Sequence, residues 1–122
     1  MASYSTQLKE LSARAKTIHI AVDENTTYAV PQAGTFLRRL TGLLFGGDTV
    51  LLRPCNSVHG FGMRRTLDVA YIDNSGSVID TAVLKPWRVH APRRGAIAVW
   101  ELPVGELERL GVTRGSTLRF SI

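Results

Sequence analysis

Three side chains that can do nucleophilic or acid–base chemistry alternate in one short segment. Cys55, Ser57 and His59 occupy every second position, so an extended backbone places them on the same face. A cysteine beside an imidazole can react as a thiolate, and Asp68 could orient the ring. However, Cys55 and His59 stand about 13 Å apart on an extended strand at ~3.3 Å per residue, so a catalytic pair requires the segment to fold back. We therefore favour a structural polar loop over a catalytic dyad.

Metal binding is the second chemistry that these residue types allow. Thiolate and neutral imidazole suit zinc or copper, and Met63 would be a soft copper ligand. The candidate ligands are Cys55, His19, His59 and His90. Their spacings match none of the short ligand pairs of zinc sites. We therefore expect no metal and no cofactor, and we expect Met63 to fill core space beside Phe61.

Asp68 opens a run of residues that reads as a strand with apolar side chains on both faces. Its carboxylate is therefore expected to be partly buried, and a buried carboxylate needs a partner. The available cations are Arg64, Arg65 and Arg88. We expect a structural ion pair, with anchoring of a ligand amine as the functional alternative.

Trp87 lies between Pro86 and Arg88 in a basic loop. An aromatic ring beside a guanidinium can stack on a peptide, a nucleotide or a single-stranded base, although a tryptophan also serves as a cap on a core. The irregular segment 55–65 and the loop 84–95 both carry arginines, and we expect them to meet at one end of a barrel. The candidate binding pocket consists of Cys55, Ser57, His59, Met63, Arg64, Asp68, Trp87 and Arg88.

The positive charge is confined to one part of the chain. Fifteen Lys and Arg stand against ten Asp and Glu, and the whole excess of five falls in residues 38–94. A one-sided basic region attracts nucleic acid, acidic lipid or an anionic partner. No run of five or six like charges indicates a nucleic-acid tail. We therefore expect an unknown protein or a small anionic ligand as the partner, with nucleic acid as the weaker alternative.

The length of 122 residues suits a single domain, and the single cysteine excludes an internal disulfide. The chain opens on a polar segment, and its aliphatic runs fall far below the ~18 residues of a membrane helix. We expect a cytoplasmic protein without membrane insertion, and the sequence leaves its oligomeric state open.

Hydrophobic periodicity predicts the elements that must position these side chains. Residues 1–16 form an N-terminal extension or a short helix, and residues 17–122 form a single domain. Within it, alternation predicts strands over 17–22, 26–30, 49–53, 67–72, 78–83, 96–102 and 117–120. Helical spacing predicts helices from Thr35 to about Phe45 and around 107–110. The fold class is therefore α+β: a mostly antiparallel, barrel-like sheet with two or three short helices.

The segment CNSVHGFGMRRTLDVAYID, residues 55–73, resembles the domain of unknown function 192 (DUF192) family of small bacterial and archaeal proteins. Residues 33–44, the loop 85–88 and residues 101–118 resemble it in the same order. The resemblance implies a compact barrel-like α+β domain and supplies no activity. Some members are associated with secretion or pilus assembly systems, which implies a protein partner. Many members carry an export signal, whereas this chain starts with a polar segment.

Two hypotheses follow for the function. The first is a non-enzymatic binding module, in which a barrel mouth formed by Arg64, Arg65, Trp87, Arg88 and His59 receives an anionic or peptide-like partner. The alternative is an enzyme that uses Cys55 or His59 as a nucleophile or as part of a metal site.

Overall fold

The computed structural model describes residues 4–12, 14–33, 49–61 and 63–122. These residues contain one short α-helix, α1 (Glu106–Leu110), and a 3-10 turn at Leu8–Glu10. Seven strands belong to a single sheet: β1 (Thr17–Ala21), β2 (Thr27–Ala33), β3 (Val50–Leu52), β4 (Leu67–Ile72), β5 (Val78–Leu84), β6 (Ala98–Pro103) and β7 (Arg119–Ser121).

The sheet is curled and mostly antiparallel. Its strand order is β5-β4-β6-β3-β2-β1-β7, and β2 with β3 is the parallel pair. A bridge between Ser77 and Thr117 joins the beginnings of β5 and β7, which are the two outermost strands of that order. Gly76 O accepts a hydrogen bond from Leu118 N at 2.8 Å beside this bridge. The predicted barrel-like, mostly antiparallel sheet is therefore confirmed.

Alternating side chains create a separate core on each face of the sheet. The inner core draws on all seven strands and includes Ile20, Trp100 and Phe120. The outer core lies on the opposite face of β3, β4 and β6, and its members are Ala33, Val50, Leu52, Val58, Met63, Leu67, Val69, Tyr71, Leu84, Ala96 and Val99. All six residues of β4 are buried as a result, which agrees with the apolar character of both of its faces.

The described residues contain less helix than the two or three helices predicted. The N-terminal segment forms only the three-residue turn at Leu8–Glu10. A helix this short is marginal by itself, so tertiary contacts determine the backbone instead. Leu8 is buried in the inner core, and the buried Arg53 donates hydrogen bonds to Leu8 O and, at 2.6 Å, to Leu11 O. The helix predicted from Thr35 to Phe45 lies outside the described residues.

Among the described residues, no helix combines the length and the hydropathy that a bilayer crossing demands.

Candidate functional site

The two loops in which the sequence placed candidate residues pair with each other. Gly60 N donates to Arg88 O at 2.8 Å, Trp87 N donates to Gly60 O at 2.8 Å, and His90 N donates to Val58 O at 2.9 Å. His59 and Val89 form an antiparallel bridge between these hydrogen bonds. We call residues 55–61 and 85–93 the paired loops.

The paired loops pack on the outer face of the sheet. Val58 and Met63 from the first loop region and Ala96 after the second are buried in the outer core. Burial of these apolar side chains holds the loops against the outer face of the sheet. Met63 therefore fills core space, as expected from its side chain.

Gly60 sets the distance between the paired loops. A Cβ atom at this position would lie 2.4 Å from Lys85 O and 3.1 Å from Pro86 Cα. Both of these atoms are backbone, which cannot move aside as a side chain can. A glycine is therefore needed here for close approach of the two chains.

Trp87 has an unusual backbone conformation and an unusual exposure. Its φ is +65°, in the left-handed region that bulky residues rarely adopt, and its side chain is 68% exposed. Its ring centroid lies 6.1 Å from that of Phe61, which lies 5.0 Å from that of His59. These three rings and the exposed Val89 form what we call the aromatic patch. Trp87 is thus not a cap on the core.

Basic residues border the aromatic patch in the sequence. Lys85, Arg88, Arg64 and Arg65 are all exposed. Residues 54–67 and 81–100 contain no Asp or Glu. The structure therefore brings His59, Trp87 and Arg88 together on the paired loops, with Arg64 and Arg65 on the run from the first loop into β4.

Cys55 and Ser57 lie at the start of the first loop and are half-buried. Cys55 N donates to Ile97 O at 2.9 Å, and Cys55 Sγ donates to the Ser57 carbonyl oxygen at 2.9 Å. This second contact favours the protonated thiol, because a thiolate has no hydrogen to donate. His59 Nδ1 in turn accepts a hydrogen bond from Phe61 N at 3.3 Å.

Asp68 is buried as expected, but its predicted ion pair is wrong. In the part of the chain that the structure describes, Asp68 Oδ2 accepts hydrogen bonds from Gly105 N at 2.9 Å and from Leu107 N at 3.2 Å. Gly105 directly precedes α1 and Leu107 lies in its first turn, where unpaired backbone donors need acceptors. Asp68 therefore caps α1 and lies apart from the aromatic patch.

A cluster of polar side chains that no sequence motif indicated surrounds Tyr71 on the outer face. The fully buried Tyr71 shares a hydrogen bond of 2.9 Å with His90 Nδ1, and the Arg93 guanidinium lies 4.5 Å above the Tyr71 ring centroid. Arg93 Nε donates to Asp80 Oδ2 at 2.9 Å. The register of the predicted β4–β5 hairpin could have indicated this cluster, because it places Asp80 directly opposite Tyr71.

The protonation of this cluster follows from its burial. Desolvation raises the pKa of the Tyr71 hydroxyl to about 12. Desolvation, with the positive charge of Arg93, lowers the pKa of His90 from its ordinary value of 6.5. Both groups are therefore neutral at pH 7.

The described residues do not assemble a recognisable metal site. Within them, no group of three or more His, Cys, Asp or Glu side chains is close enough to hold a metal ion. The Nδ1 atom of His90 instead forms a hydrogen bond with the Tyr71 hydroxyl.

We predict that His90 makes the stability of the protein depend on pH. Because the pKa of His90 is lowered in the folded chain, the unfolded chain binds more protons as the pH falls below 6.5. The stability is complete above that value and declines as the pH falls towards the lowered pKa. Urea unfolding between about pH 7.5 and about pH 5 should show a smaller loss of stability for His90→Asn than for wild type. His19→Asn is the control, and equal losses in wild type and His90→Asn would contradict the prediction.

We also predict that the Cys55 thiol reacts slowly in the folded protein. Half-burial and the hydrogen bond to the Ser57 carbonyl both hinder formation and attack of the thiolate. Alkylation by iodoacetamide near neutral pH should be slow in buffer and fast in urea, where the same single thiol is exposed. Fast alkylation of the folded protein well below about pH 8.5 would instead support the nucleophilic alternative.

Comparisons with known proteins agree with the resemblance of the motif region. The model of the DUF192 family, described as "Uncharacterized ACR", matches residues 18–120. A "UPF0127 protein" of Pyrococcus furiosus is 36% identical over 97 residues, covering 73% of this chain and 84% of the relative. Another, from Thermococcus sibiricus, is 30% identical over 105 residues, covering 79% and 68%.

The fold is also similar to that of a solved structure. A protein of unknown function from Novosphingobium aromaticivorans matches with a TM-score of 0.64 at 17% identity, covering 84% of this chain and 82% of the other. This match supports the fold alone. The family match over residues 18–120 and the identity to the archaeal relatives show that the chain belongs to the DUF192 family.

Proposed function

We propose that this protein is a binding module that holds an acidic segment of a partner protein on the aromatic patch. The observation that carries the proposal is Trp87, an exposed aromatic side chain on a strained backbone. The occupant is a protein segment that combines carboxylates with apolar side chains.

The backbone around Trp87 is held in place by hydrogen bonds on both sides. Trp87 N donates to Gly60 O, Gly60 N donates to Arg88 O, and Arg88 N donates to Lys85 O at 3.2 Å. A left-handed conformation costs a bulky residue about 1–3 kcal/mol. The core gains little in return, because the indole is mostly exposed. Presentation of the Trp87 ring to a partner accounts for both the strained backbone and the exposed indole.

The exposed rings and the neighbouring charges suit a protein partner. Tryptophan and arginine are enriched among the residues that dominate protein interfaces. A ring that is already fixed before binding loses little conformational entropy on association. Residues 54–67 and 81–100 contain no Asp or Glu, and Lys85 and Arg88 next to Trp87 in the sequence are exposed, which favours an acidic segment.

The resemblance to the family suggests where such a partner belongs. A component of a secretion or pilus assembly system is the expected source of the acidic segment. Nucleic acid is the competing anionic partner, and the salt dependence of its binding distinguishes it.

The test is a selection of displayed random peptides on immobilised protein, followed by affinity measurement with Trp87→Gly. Selected peptides should be rich in Asp and Glu, and Trp87→Gly should weaken their binding at least about tenfold. The same variant should keep the stability of wild type, because glycine adopts a positive φ without strain.

Val104→Ala, which shortens an exposed apolar side chain outside the paired loops, is the matched control and should bind as wild type does. Equal binding by wild type and Trp87→Gly would overturn the proposal. So would selected peptides without acidic enrichment, or tight binding of duplex DNA or RNA that falls steeply with salt.

A further inference from the structure

A second group of arginines lines a cavity separate from the aromatic patch. The cavity has a volume of about 320 Å³ and is lined by Ile79, Asp80, Arg93, Arg94 and Arg114. The lining residues include three arginines and a single aspartate, so the cavity carries net positive charge. Its volume lies at the lower end of small-molecule sites, which span about 300–1,000 Å³.

Arg93 is fixed before any ligand binds. Its Nε donates to Asp80 Oδ2 at 2.9 Å, its Nη1 donates to Ala91 O at 2.7 Å, and the Tyr71 ring packs against its guanidinium. In the described part of the chain no hydrogen bond engages Nη2. A planar guanidinium that is already held in place binds an oxyanion with little further loss of side-chain entropy.

The backbone that carries the other arginines is anchored as well. Gly115 N, next to Arg114, donates to Val78 O at 2.8 Å. Ala96 N donates to Arg93 O at 3.1 Å, which closes the turn that contains Arg94. The side chains of Arg94 and Arg114 are exposed and have no hydrogen-bond acceptor among the described residues. Arg94 and Arg114 thus line the cavity from hydrogen-bonded turns, together with the fixed guanidinium of Arg93.

We propose that this cavity binds a small doubly charged oxyanion, either phosphate or the phosphate group of a small phosphomonoester. Guanidinium groups bind phosphate oxygens through paired N–H donors, and three of them can surround one phosphate group. Asp80 orients Arg93 and offsets one of the three positive charges. The site uses none of the side chains of the aromatic patch, so it is independent of the proposed peptide binding.

The experiment is a titration with inorganic phosphate at constant ionic strength, followed by the amide resonances of the isotopically labelled protein. The amides of residues 93–95 and 114–116 should shift and saturate. Acetate, which carries a single charge, should cause weaker shifts at the same concentrations.

Arg94→Ala/Arg114→Ala should lower the phosphate affinity at least about tenfold. Arg14→Ala/Arg119→Ala removes the same two positive charges from exposed positions elsewhere and should bind phosphate as wild type does. Thermal unfolding of both double variants checks that they fold. Arg93 is left intact because its contacts with Tyr71 and Asp80 are structural.

Three results would overturn this inference: the absence of saturable shifts, equal affinities of the two double variants, or shifts centred on Gly60 and Trp87. None of them bears on the peptide selection with Trp87→Gly, so failure of the phosphate site and failure of the proposed function remain distinguishable.

Discussion

The antiparallel pairing of the two loops at Gly60 fixes the backbone that carries the aromatic patch. Gly60 exchanges hydrogen bonds with Trp87 and Arg88 across a gap that a single Cβ atom would fill. This close approach holds Trp87 at a positive φ with its ring in solvent. Without the pairing, Trp87 would leave the left-handed conformation, because its mostly exposed indole gains little core contact to offset the strain.

The same pairing gives the sheet a second core. Residues of the loops cover the outer face of β4, so a strand that would otherwise have a solvated face is buried on both sides. Tyr71 is buried there, and its hydroxyl forms a hydrogen bond with His90 of the second loop. Arg93, three residues further on, packs on Tyr71 and reaches Asp80. The second loop thus contributes Trp87 and Val89 to the aromatic patch and Arg93 to the arginine-lined cavity.

Local patterns in the sequence predicted the sheet and the meeting of the two loops. Alternation identified β4 and β5, and the motif over 55–73 identified the family. The features that local patterns did not predict depend on contacts between residues far apart in the sequence. The partner of Asp68 is the start of α1, 37 residues away at Gly105, so no local spacing indicates it. The location of the loops follows from the burial of Val58 and Met63 on the outer face, and periodicity does not tell the two faces of β4 apart. The positive φ of Trp87 depends on its hydrogen bond with Gly60, which is distant in the sequence, so no local pattern indicates it.

Hydrogen exchange of single backbone amides reports on the pairing of the two loops without any ligand or variant. If the loops pair in this way, the amides of Gly60, Trp87 and His90, which all donate across the paired loops, are protected to nearly the same degree as those of β4. Exchange of these three amides at the rate of an unprotected chain, while the β4 amides remain protected, would contradict the pairing.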